Sequence, residues 1–183
     1  MEKPKRHYLF LFLVAAIIIA LDQITKAVVI ASLPVEGQAW APWDWLLPYA
    51  RIIHWTNTGV AFGMFQGLGT FFIFLAIIVG AAIVYYYPRV AANDPLLRLA
   101  MGLQLGGAMG NLVDRLTRDG KVVDFISVGT FPVFNVADSS ITVGVLLLVL
   151  AVWLQERREK QALLMRVDAA AEDSTATEHH EAA

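Results

Sequence analysis

Two aspartates on either side of one short loop have the surroundings that most suggest chemistry. Asp124 lies inside Lys121-Val-Val-Asp-Phe-Ile126, and Asp138 inside Phe134-Asn-Val-Ala-Asp-Ser-Ser-Ile-Thr142. Val122, Val123, Phe125 and Ile126 leave the Asp124 carboxyl in a low-dielectric setting, where lost hydration favours the neutral acid. Asp138 opens an apolar run. It reads equally well as a helix N-cap, a position for which Asn135 is a second candidate, and as a chemical group. The start of a helix suits a negative charge in either role. Two carboxyls that meet tend to share one proton, because both cannot readily ionise together. One then takes a proton from water, and the other gives one to a carbonyl or a leaving nitrogen. Such a pair hydrolyses an amide without a thiol, a serine–histidine pair or a metal. Distance along the chain does not establish that the two meet.

Three more polar groups stand in apolar surroundings. Asp22 and Lys26 are four residues apart, so on a helix they share a face and can pair. They read as a structural pair near a helix end, with Lys26 reaching for the membrane interface, or as support for a nearby site. In Gly110-Asn-Leu-Val-Asp-Arg115, the spacing of Asn111, Asp114 and Arg115 puts them on one side of a helix. An arginine there could satisfy terminal carbonyls, but three polar groups exceed what a helix end requires, and a site wall fits better. Asn57-Thr-Gly-Val-Ala-Phe-Gly63 reads as a turn with two glycines, Gly59 and Gly63.

The elements that must hold these groups follow from hydropathy. The chain has 183 residues, enough for one domain, and is 57% apolar with 16% charged residues. Soluble domains run at about 45–50% apolar, so the class is polytopic membrane protein. The net charge of -2 and the lack of a basic block give no nucleic-acid patch. The absence of cysteine excludes disulfides, thiolate metal sites and a cysteine nucleophile. His7, His54, His179 and His180 have no metal-ligand spacing in the apolar body, so no metal is expected.

A bilayer core takes about 20 mostly apolar residues per helix. Four segments approach this: 8–30, interrupted by Asp22, Gln23, Thr25 and Lys26; 69–87; the glycine-rich 96–113; and 139–154. With four spans, Lys3, Lys5 and Arg6, then Arg89 and Arg98, then Arg157, Arg158, Lys160 and Arg166 fall on one side, and both termini are cytoplasmic. Arg115, Arg118 and Lys121 break the pattern and are assigned to the site. The basic start and first apolar run resemble a cleavable signal. No small-residue cleavage pattern follows, so a retained helix is expected. Trp40, Trp43, Trp45, Tyr49 and Trp55 place the first connection at the membrane interface, with short strands around 50–56. The expected fold is an all-α membrane protein: four transmembrane helices with a small extracytoplasmic β/loop segment between helices 1 and 2. Residues 1–160 form the helical domain, and 161–183 a disordered cytoplasmic tail, alanine-rich and acidic towards its end.

Taken in order, Asp22-Gln-Ile-Thr-Lys26, Asn57-Thr-Gly-Val-Ala-Phe-Gly63, Gly110-Asn-Leu-Val-Asp-Arg115, Val122-Val-Asp-Phe-Ile126 and Phe134-Asn-Val-Ala-Asp-Ser-Ser-Ile141 closely resemble the lipoprotein signal peptidase family, signal peptidase II. The resemblance covers about 8–154 and leaves the tail out. It implies a bacterial inner-membrane aspartic endopeptidase, without cofactor, that removes signal peptides from lipidated prolipoproteins. The cut precedes a diacylglyceryl-modified cysteine. The family's catalytic dyad maps onto Asp124 and Asp138. Asp22, Lys26, Asn57, Gly59, Asn111, Asp114, Arg115 and Asn135 fall at supporting or substrate-binding positions. Membrane lipid is a partner, nucleic acid is not, and a monomer is expected, with the active site near the extracytoplasmic face. Gly102, Gly106, Gly107 and Gly110 would allow close helix approach. A small proton-coupled transporter using Asp22, Lys26, Asp114 and Asp124 as a relay is the alternative. Four helices without an internal repeat are few for a carrier.

Overall fold

The computed structural model describes residues 4–59, 67–90 and 94–181. Val60 to Gly63, the second half of the glycine turn, lie outside them. Four long helices dominate: α1 (Pro4–Ser32), α2 (Gly69–Val90), α3 (Pro95–Thr117) and α4 (Val136–Glu181). Tyr8–Ser32, Gly69–Val90 and Val136–Leu163 are long and apolar enough to cross a membrane. Helix α3 has similar length but carries Gln104, Asn111, Asp114 and Arg115. It starts cleanly: Pro95 occupies the first helical position, and the Asp94 carboxylate accepts from the Leu96 and Leu97 amides at 2.8 and 3.1 Å.

Helix α3 packs against the other three helices and forms the axis of the bundle. Its glycines make this possible. A Cβ on Gly102 or Gly106 would stand 2.8 or 2.7 Å from the Cβ of Val14 or Ile18 on α1, and one on Gly107 would run into the Ala137 carbonyl of α4. The core near the start of α1 is apolar, built from Leu11, Ala15, Ile83, Tyr87, Leu97, Met101, Leu105 and Ala151. Large side chains such as Phe12, Ile24, Phe74, Ile78, Leu146 and Val149 point outward. Buried Asp22, Lys26, Asn111, Asp114, Asp124 and Asn135 occupy the interior nearer the other end of α1. An apolar exterior around a polar interior is the arrangement a bilayer favours.

At that end lies a three-stranded antiparallel sheet, β1 (Ala39–Trp40), β2 (Ala50–Asn57) and β3 (Val122–Val128), in that order. A short 3-10 turn, Asp44–Leu46, separates β1 from β2. The strand expected around 50–56 is present. The expectation that the β segment belongs to the first connection alone needs correction, because β3 comes from the third. The reason it escapes a reading of hydropathy is physical. Val122, Val123, Asp124 and Phe125 are buried in succession, so the strand has no alternation of apolar and polar residues. Helix α4 continues through Glu181 as one helix, over residues expected from the sequence to be a disordered tail; Gln161, Ala162 and Leu163 there are exposed.

Candidate active site

Three local features carry Asp124 and Asp138 to the same place. Antiparallel pairing of β2 with β3 sets Trp55 opposite Asp124, which leaves Asn57 as a diagonal neighbour on the same face. Asn57 Nδ2 accordingly donates to Asp124 Oδ2 at 3.2 Å. The chain then turns, bridges Ile126 to Phe134 and enters α4. There Asn135 and Asp138 cap reciprocally: Asn135 Oδ1 accepts from the Asp138 amide at 2.9 Å, and Asp138 Oδ2 accepts from the Asn135 amide at 3.2 Å. This is a capping box with asparagine and aspartate in place of serine and glutamate. Asp138 therefore stabilises its helix with one oxygen and leaves the other, Oδ1, to accept from Asn111 Nδ2 at 2.8 Å. The two readings of Asp138 are compatible in one side chain.

Both aspartates line a cavity of about 210 Å³ whose wall also includes Asn57, Gly59, Asn111 and Arg115. Val122 and Val133 complete it. Behind the wall, Asn135 Nδ2 reaches Asp124 Oδ1 at 2.8 Å and Asn111 Oδ1 at 3.1 Å. Three asparagine amides thus hold two carboxyls without adding charge. Burial first, and then the nearby charge of Asp138, push the Asp124 carboxyl up to about 7. A carboxyl poised there can hold or release a proton near neutral pH. Arg115 donates to the Gly59 carbonyl at 3.4 Å and stacks over Phe72 at 5.2 Å. Its buried Nε has no hydrogen-bond partner among the described residues. Among those residues no group of three or more histidines or carboxylates is placed to hold a metal ion.

Asp22, Lys26 and Asp114 do not line the cavity. All three are completely buried behind it, where Lys26 Nζ lies 2.8 Å from Asp22 and 2.9 Å from Asp114. Lys26 therefore does not reach for the membrane interface: its ammonium turns inward to two carboxylates. Sequence reasoning gave no role to Gln23, whose Nε2 donates to Asp22, to the Gly110 carbonyl and to Asp114. Its polar side chain in an apolar run was the available signal. Val133 carried no signal at all.

The comparisons with known proteins bear on what this cavity does. The family model described as signal peptidase (SPase) II matches residues 14–154. The lipoprotein signal peptidase of Shouchella clausii (strain KSM-K16) is 44% identical over 152 residues, 82% of this chain and 97% of its own length. The chain belongs to the signal peptidase II family. The lipoprotein signal peptidase of Bacillus subtilis (strain 168) is 40% identical over 82% of this chain and 97% of its own. A bacterial membrane enzyme solved by the in meso method at 2.3 Å superposes with a TM-score of 0.73 at 33% identity, covering 80% of this chain and 88% of that one. Family membership makes the chain an aspartic peptidase, and its apolar helices make it a membrane protein. The transporter alternative finds no support among these relatives.

Proposed function

We propose that the chain removes the signal peptide from diacylglyceryl-modified prolipoproteins, hydrolysing the bond before the lipidated cysteine with Asp124 and Asp138 as the catalytic dyad. The observation that carries this is the single small cavity lined by both carboxyls. Asp124, the more apolar in setting, and Asp138, tied to a helix start, share one proton. The ionised member takes a proton from water as the water attacks the scissile carbonyl, and the protonated member gives its proton to the leaving nitrogen as the C–N bond breaks. Asn57, Asn111 and Asn135 orient the acids. Gly59 and Arg115 border the place where the substrate backbone would lie.

An apolar groove of about 510 Å³, lined by Phe131, Phe134, Ile141 and Val143, shares Asp138 and Val133 with the catalytic cavity. That continuity supports a substrate bearing an acyl chain from the bilayer. We place the enzyme in the bacterial inner membrane as a monomer in contact with lipid. Helix α3 is the fourth span, since its 23 residues reach about 35 Å. Both termini are cytoplasmic, the dyad lies near the extracytoplasmic face, and residues 161–183 lie outside the catalytic domain. The test is mass spectrometry of a diacylglyceryl-modified precursor incubated with the purified protein and with Asp124→Asn. One cut immediately before the modified cysteine, lost in the variant, is expected. Cleavage elsewhere, or undiminished cleavage by the variant, would refute the assignment.

A further inference from the structure

The buried ion cluster behind the cavity is more specific than a pair that merely neutralises itself. Lys26 Nζ has three acceptors, Asp22 Oδ2 at 2.8 Å, Asp114 Oδ2 at 2.9 Å and Asn111 Oδ1 at 3.3 Å, one for each of its donors. Each carboxylate also grips a backbone amide on a different element. Asp22 Oδ1 accepts from the Ala137 amide at 3.0 Å, and Asp114 Oδ2 accepts from the Val123 amide at 3.0 Å. Ala137 and Val123 are the residues immediately before Asp138 and Asp124. The third acceptor, Asn111, donates its own amide to Asp138. Arg118, 3.3 Å from Asp114 Oδ1, balances the charge of the cluster. A buried pair kept for packing could be replaced by apolar side chains of like volume. Nothing in packing alone calls for the two carboxylates to hold the two amides next to the two acids.

We propose that Lys26, Asp22 and Asp114 form a clamp that sets the separation of the two aspartates: one ammonium draws two carboxylates together, and each fixes the backbone just before one member of the pair. The clamp rests on the dyad reading. It acts through Asp124 and Asp138 and touches no substrate, so its members are positioning residues. It also explains why Gly110 is glycine, since a Cβ there would stand 2.8 Å from Asp22 Oδ2.

The test uses the full-length protein in nanodiscs with a diacylglyceryl-modified precursor peptide. Lys26→Met removes the ammonium at similar length. Lys26→Met with Asp22→Asn leaves Asp114 paired with Arg118, so no charge is stranded, and keeps an acceptor for the Ala137 amide. Both variants are expected to lose about 10- to 100-fold in kcat per folded molecule, as small misplacements of catalytic groups do, with KM little changed. Folded protein is counted by size-exclusion chromatography. A wild-type kcat per folded molecule in either variant, or an effect confined to KM, overturns the clamp. So does failure of both variants to fold, which would mark the cluster as purely structural. Asp124→Asn is assayed alongside. If it still cleaves, the dyad reading fails; if it is inactive while the Lys26 variants keep full kcat, only the clamp fails.

Discussion

Replacing Asp124 by asparagine is expected to abolish cleavage and, in alkaline solution, to stabilise the protein. The carboxyl is 3% exposed, and burial together with the nearby Asp138 charge moves it from 3.8 to about 7. At about 1.4 kcal/mol per pH unit, ionising it in the folded state is disfavoured by ~4 kcal/mol. The sign is fixed by which state gives up its proton first. Below 3.8 the group is neutral folded and unfolded, and stability is undiminished. As pH rises towards 7 the unfolded chain ionises first and stability falls; above about 7 the loss is complete. Asparagine does not titrate, so the variant escapes this slope. Against that, the carboxyl accepts from Asn135 at 2.8 Å and from Asn57 at 3.2 Å. One asparagine oxygen cannot easily replace both, and a lost hydrogen bond costs about 1 kcal/mol. The balance is ~3 kcal/mol in favour of the variant in mild alkali and ~1 kcal/mol against it in acid. Denaturant unfolding in detergent, followed by tryptophan fluorescence near pH 4 and near pH 8, measures both. Equal pH slopes in the two proteins would refute the buried, proton-holding Asp124.

Other consequences can be checked with the same two assays. Asp138→Asn removes the second cause of the raised Asp124 carboxyl, so the stability loss should complete below about pH 7, and cleavage should vanish. Asn135→Ala breaks the capping box and a donor to Asp124; a stability loss of about 1–2 kcal/mol from the cap is expected, together with a large fall in cleavage rate. Gly107→Ala pushes a methyl group into the Ala137 carbonyl and should cost about 1–3 kcal/mol by forcing α3 and α4 apart, read as a lower unfolding midpoint. Deleting residues 161–183 should leave the cleavage rate unchanged, since none of the cavity-lining residues lies there.

Much of the molecule is written locally. Apolar runs of bilayer length and the glycine series on α3 are properties of neighbouring residues, so hydropathy and spacing reveal them. The polar interruptions Asp22, Gln23 and Lys26 are visible for the same reason: each is anomalous in an apolar helix. Five motifs in order were enough to suggest the family, which the comparisons then established.

What spacing could not supply was which polar groups face the cavity and which stand behind it. Asn111, Asp114 and Arg115 fall on one side of α3, yet Asn111 and Arg115 line the cavity while Asp114 turns to Lys26 and the Val123 amide. That division depends on where α1 and β3 lie against α3, and no single helix encodes it. Strand β3 has no alternation because it is buried on successive residues, and its partner β2 comes from a distant connection. The double duty of Asp138 arises in the same way. The capping box is local to four residues, but the partner of its free oxygen is Asn111, on another helix. The sequence determined the helices and the acids; only the packing of α1, β3 and α4 around α3 decided that Asp124 and Asp138 meet at one cavity and that Asp22 and Asp114 hold the backbone behind them.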